Sequence, residues 1–101
     1  MNYRITDSNG IVQVAMEGAL NFAANEEFQG LLETLVKMTP GRVVFNLAGL
    51  TSIDSVGLGL FYIAHEDLLA IKAKVVLASP RDNVARLLEL TEANKTFEIV
   101  P

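Results

Sequence analysis

The chain contains no cysteine and a single histidine, and these two scarcities remove most of the chemistry that a small protein can carry. Without cysteine there is no disulfide, no thiolate metal site and no cysteine nucleophile. That absence is compatible with a reducing compartment, so a cytoplasmic location is the expectation. His65 has no second histidine or cysteine with which to share a metal. Its neighbours Glu66 and Asp67 fall on other sides of a helix, because adjacent helical residues do not share a face. A general base needs a partner and a cleft, so His65 reads as a structural residue. The acidic residues are scattered along the chain, and no nucleophile, base and orienting acid can be assembled from them. Neither an enzyme nor a metal or cofactor site is expected.

Long apolar runs and basic clusters are missing as well. No stretch approaches the roughly 20 apolar residues needed to cross a bilayer. The opening "MNYRITDSNG" has no basic segment followed by an apolar one, so no secretory signal is visible. The expectation is a soluble, unprocessed chain without membrane insertion. Twelve Asp and Glu against eight Lys and Arg give a net charge of -4, with no basic cluster to follow a phosphate backbone. Nucleic acid is therefore not an expected partner. The 101 residues suit one domain spanning 1–101, a monomer by default, which would bury roughly two-thirds of the surface its unfolded chain exposes.

What is present alternates between two periods. In "IVQVAME", Ile11 to Glu17, every second residue (Val12, Val14, Met16) shares one strand face. Tyr3 to Thr6 should pair with it as a hairpin across Asn9-Gly10, a strong turn signal. From Ala23 the spacing of Phe28, Leu31, Leu32, Leu35 and Val36 is that of an amphipathic helix, with Asn21 or Asn25 available as its cap and Pro40-Gly41 as its end. "RVVFNL", Arg42 to Leu47, is apolar on both parities, as in a strand covered on two faces. A second helix follows from about Val56 to Ala70, then the strand "KVVLAS", Lys74 to Ser79. Ser79-Pro80-Arg81-Asp82 supplies a cap, a first-turn proline and an acid, and so starts a third helix with Val84, Leu87 and Leu88 inside. "FEIV", Phe97 to Val100, is the last strand. The order ββαβαβαβ implies an α/β fold, with a mixed sheet of about five strands, parallel at its centre and packed with three or more helices.

Sites in such sheets collect at the carboxyl ends of strands, where this chain reads "SIDSVGLG", Ser52 to Gly59. A dinucleotide loop would need a third glycine near Tyr62, and a phosphate loop a Gly-Lys-Ser/Thr ending; neither is there. Asp54 or Ser55 can cap the second helix through an amide near Gly57, and the helix dipole favours negative charge there by about 0.3 to 1 kcal/mol. By residue type alone this reads as an ordinary capped helix rather than a functional site.

The surrounding order gives the stretch more meaning. "VVFNLAGLTSIDSVGLGLFYIAHEDL", "KVVLASPRDNVARLLELT" and "TFEIV" together resemble the STAS family, the anti-sigma factor antagonists of bacteria. Asp54, Ser55, Gly57, Leu58 and Gly59 match its Asp-Ser-Ser/Thr-Gly-Leu-Gly motif, and "MEGALNFAANEEF" resembles its Gly-x-Leu-Asp segment. The likeness runs from about Val12 to Val100. It implies a STAS fold and a regulatory protein-binding function in transcription: docking on a partner-switch kinase that also holds a sigma factor. In the family, that kinase phosphorylates a Ser or Thr at the start of the second helix and so releases the complex. The resemblance places the contact surface on Asp54, Ser55, Val56, Gly57 and Leu58, with Asn21 and Asn46 beside it.

Three positions depart from the family pattern. The phosphoacceptor is the residue before Gly57, here Val56, which has no hydroxyl. Acids usual in the preceding strand and in the Gly-x-Leu-Asp segment are replaced by Asn46 and Asn21. Two readings follow: Ser55 takes over as the phosphorylation site, or the domain binds its partner without the usual phosphoswitch, which is the favoured expectation. The alternative within the family is a cytoplasmic STAS subunit of an ABC transporter or lipid-trafficking assembly, bound to the transporter ATPase.

Overall fold

In a computed structural model describing residues 1–101, Asn9 and Gly10 adopt φ of 54° and 81°. This left-handed pair is what a tight antiparallel hairpin needs, and it joins β1 (Asn2–Ser8) to β2 (Ile11–Leu20). A 3₁₀ turn (Phe22–Ala24) then leads into α1 (Asn25–Lys37), followed by β3 (Arg42–Ile53), α2 (Ser55–Leu69), β4 (Lys74–Ala78) and α3 (Asp82–Leu90). A second 3₁₀ turn (Ala93–Lys95) precedes β5 (Glu98–Val100). The five strands form one sheet in the order β1-β2-β3-β4-β5, antiparallel only between β1 and β2. The element order ββαβαβαβ, the five strands and the parallel centre are those expected from the sequence.

Because the parallel strands follow chain order without reversal, right-handed crossovers put all three helices on one face of the sheet. In register on that face are Val12, Val43 and Val75, then Val14, Phe45 and Leu77. Phe28 of α1 and Phe61 of α2 meet Phe45 with ring centroids 6.1 and 5.4 Å away, and lie 5.7 Å from each other. Such aromatic contacts contribute about 0.5–1.5 kcal/mol each beyond the area they bury.

Several local expectations are corrected. β3 is not covered on two faces: Val43, Phe45 and Leu47 are buried, while Arg42, Val44 and Asn46 are half-buried. β3 also does not end at Leu47 but continues through "AGLTSI", because β2 runs on to Leu20 and pairs with it across two register shifts. At one of these bulges a Cβ on Gly49 would stand 2.8 Å from the Met16 carbonyl oxygen and 2.9 Å from Cγ of Glu17, so only glycine fits. Neither Asn21 nor Asn25 caps α1. The chain enters through the 3₁₀ turn, where the Ala24 N–H donates to the Asn21 carbonyl at 3.0 Å, and the Asn25 side chain accepts instead from Gln29 at 3.1 Å. Ser79 and Pro80 remain outside α3. Ser79 takes φ of 56° and its N–H donates to the Val100 carbonyl at 2.9 Å, tying it to β5 and leaving Arg81 to precede the helix without a side-chain cap. No helix is long and apolar enough to cross a membrane.

Candidate functional site

The head of α2 is built by Asp54. Its backbone is extended (φ −111°, ψ −174°), and its Oδ1 accepts the Gly57 N–H at 2.8 Å, satisfying one of the amides that a helix start leaves free. Its own carbonyl accepts the Leu58 N–H at 2.9 Å. The capping oxygen is therefore Asp54's, which leaves the Ser55 hydroxyl outside the cap.

The position of this helix start is set by the end of β2. The Asp54 N–H donates to the Leu20 carbonyl at 3.3 Å. That same carbonyl lies against Gly57, where any Cβ would run into the Leu20 oxygen and stand 2.9 Å from Cγ1 of Ile53. Glycine at 57 is thus required by packing. Asn21 follows Leu20 directly, half-buried and extended, with its side chain in no capping bond.

The residues singled out by sequence separate into three groups. Asp54, Ser55 and Val56 are exposed at the head of the helix, Val56 to 40 %, with Asn21 next to them. Gly57 and Leu58 are buried, Leu58 being 9 % exposed; they support the site from beneath. Asn46 is not brought to the cap. It pairs with Ala15 of β2, five residues and about 16 Å down the strand from Leu20. There its Oδ1 accepts the Ala48 N–H at 3.0 Å, at the bulge where the ladder shifts register, which gives it a local structural task. Sequence reasoning passed over Phe22, which is 74 % exposed in the 3₁₀ turn packed beside α2. Its signal was an aromatic in a stretch assigned to no element. Leu20, whose carbonyl positions the helix, carried no signal, because its role is played by backbone.

His65 is half-buried with its ring against Phe97, 5.5 Å between centroids. No group of three or more His, Asp or Glu side chains is placed to hold a metal ion. The largest surface groove runs between α1 and the far half of α2, lined by Leu32, Val36, Ile63 and Ile71, away from the α2 head.

A STAS domain family model matches residues 2–101. A STAS-domain containing protein of Pseudomonas aeruginosa is 27% identical over 86 residues, spanning 85% of this chain and 84% of its own length. Among solved structures, an anti-sigma factor antagonist from Mycobacterium paratuberculosis aligns with a TM-score of 0.83 at 24% identity, over 99% of this chain and 85% of that one. The Bacillus cell fate determinant SpoIIAA, in its phosphorylated form, aligns with a TM-score of 0.74 at 17% identity, over 99% and 92% of the two chains. At these identities the structural likeness establishes a common fold.

Proposed function

The chain belongs to the STAS domain family, and on that premise we propose that it is an anti-sigma factor antagonist that binds a partner-switch anti-sigma factor and serine kinase through the head of α2, without the usual phosphoswitch. The observation that carries this reading is Val56: exposed, one residue before the glycine locked against Leu20, at the family's acceptor position and without a hydroxyl. A phosphate there would add a charge of about −1.5 to −2 in the middle of a contact surface, and valine cannot carry it. The uncharged, binding-competent surface is then the permanent one. Ser55 is exposed but turned one residue along the helix, about 100° from the acceptor position. The protein acts by binding, with no catalytic step of its own.

The test is to mix the purified chain with a partner-switch anti-sigma factor and serine kinase from the same organism and follow the complex by size-exclusion chromatography before and after adding ATP. The expected result is a complex that survives ATP and a chain of unchanged mass. A gain of about 80 Da on Ser55, with release of the complex, would restore the switch and contradict the constitutive reading. Failure to bind any kinase, with stable binding to a transporter ATPase, would move the chain to the transport branch of its family.

A further inference from the structure

We infer that Phe22 is the apolar anchor of this binding face and that the surface it enters is an apolar pocket flanked by lysine or arginine; the inference rests on the binding function proposed above and names the chemistry of its partner. Four of the five phenylalanines are buried: Phe28, Phe45 and Phe61 form the central ring cluster, and Phe97 packs against Tyr62 at 5.0 Å and His65 at 5.5 Å. Phe22 is 74 % exposed, more than any other large hydrophobic side chain in the protein.

Its placement ties it to the α2 head. Phe22 lies two residues after Leu20, whose carbonyl touches both Asp54 and Gly57, and it opens the 3₁₀ turn that packs beside α2. Phe22 and the 40 % exposed Val56 thus stand on adjoining elements around the Asp54 cap. An aromatic ring on an ordered turn brings large apolar area to a contact and loses little freedom in making it, which is why such rings concentrate in the centres of interfaces.

Charge identifies the other side. Residues 21–27 and 51–58 together hold the exposed carboxylates of Glu26, Glu27 and Asp54 and no lysine or arginine; the one cation against them is the Met1 ammonium, 4.0 Å from Glu27, so Glu26 and Asp54 carry the unpaired negative charge. An apolar centre in an acidic frame is complemented by a pocket with a basic rim, and the attraction between them is weakened by salt.

The experiment is calorimetric titration of the partner-switch kinase with the wild-type chain, Phe22→Ala and Phe22→Leu, in low and high salt. Because the ring is exposed, Phe22→Ala should leave the thermal midpoint where it is, so a change in binding reports the contact. The expected result is at least about a tenfold loss for Phe22→Ala, near-retention for Phe22→Leu, and weaker wild-type binding in high salt. Wild-type binding with Phe22→Ala within twofold of it overturns the anchor and leaves the proposed function intact. Affinity indifferent to salt overturns the basic rim. No binding by the wild type overturns both the inference and the function on which it rests.

Discussion

The carbonyl oxygen of Leu20 occupies the space that a side chain on Gly57 would need. The end of β2 and the first turn of α2 therefore interlock through backbone, and the Asp54 N–H, 3.3 Å from the same oxygen, completes the joint. Gly57→Ala should force the strand and helix apart and cost about 3 kcal/mol, at the upper end of overpacking changes. In a domain of this size that corresponds to a fall in thermal midpoint of about 12–24 °C, measurable by circular dichroism. A midpoint within a few degrees of wild type would mean that the joint yields cheaply.

The Asp54 cap is a separate and smaller contribution. Asp54→Ala removes the 2.8 Å bond to the Gly57 N–H and should destabilise by about 1 kcal/mol, or about 4–8 °C in midpoint. Asp54→Asn, which keeps an oxygen acceptor, should recover most of it. Equal losses in the two variants would show that the hydrogen bond is not what Asp54 provides.

At the opposite end of the parallel strands, Lys74 Nζ lies 2.8 Å from Oε1 of Glu98. This hydrogen bond and then the Lys74 charge hold the Glu98 carboxyl below its usual value, against an opposing effect of desolvation and with a still weaker contribution from Arg42. A carboxyl whose folded pKa is lowered adds stability at pH above the unfolded value of about 4.3, and loses it as pH falls through the folded pKa. Both side chains are substantially exposed, so the gain is small and screened by salt. Lys74→Ala should move the Glu98 carboxyl titration, followed by NMR, up towards the ordinary range and flatten the acid limb of the stability curve. An unmoved Glu98 midpoint would contradict the assignment.

Much of this architecture is legible in the sequence because it rests on side-chain patterns. The alternation of Val12, Val14 and Met16, the helical spacing from Phe28 to Leu35 and the Asn9-Gly10 turn all appear as read. That α2 would be capped was legible for the same reason, with Asp54 and Ser55 both available, and the structure gives the cap to Asp54. What escaped was decided by backbone. The bulges that carry β3 to Ile53 depend on its pairing with β2, and they turn Asn46 from a neighbour of the cap into the partner of the Ala48 amide. Ser79-Pro80 looked like a helix start, but the bond from Ser79 to Val100 belongs to β5, a strand that lies beyond the whole of α3 in the chain. Phe22 lay in a segment with no period to read.

The measurement that bears most directly on the central claim is the affinity of the partner-switch kinase for the wild-type chain and for Val56→Asp, side by side. Asp at this exposed position puts negative charge where relatives place a phosphate, without disturbing the buried Gly57 and Leu58 beneath it. Tight wild-type binding and a loss of more than about tenfold, or about 1.4 kcal/mol, in Val56→Asp is the result predicted. Equal affinity of the two proteins would place the contact elsewhere on the molecule and contradict the account.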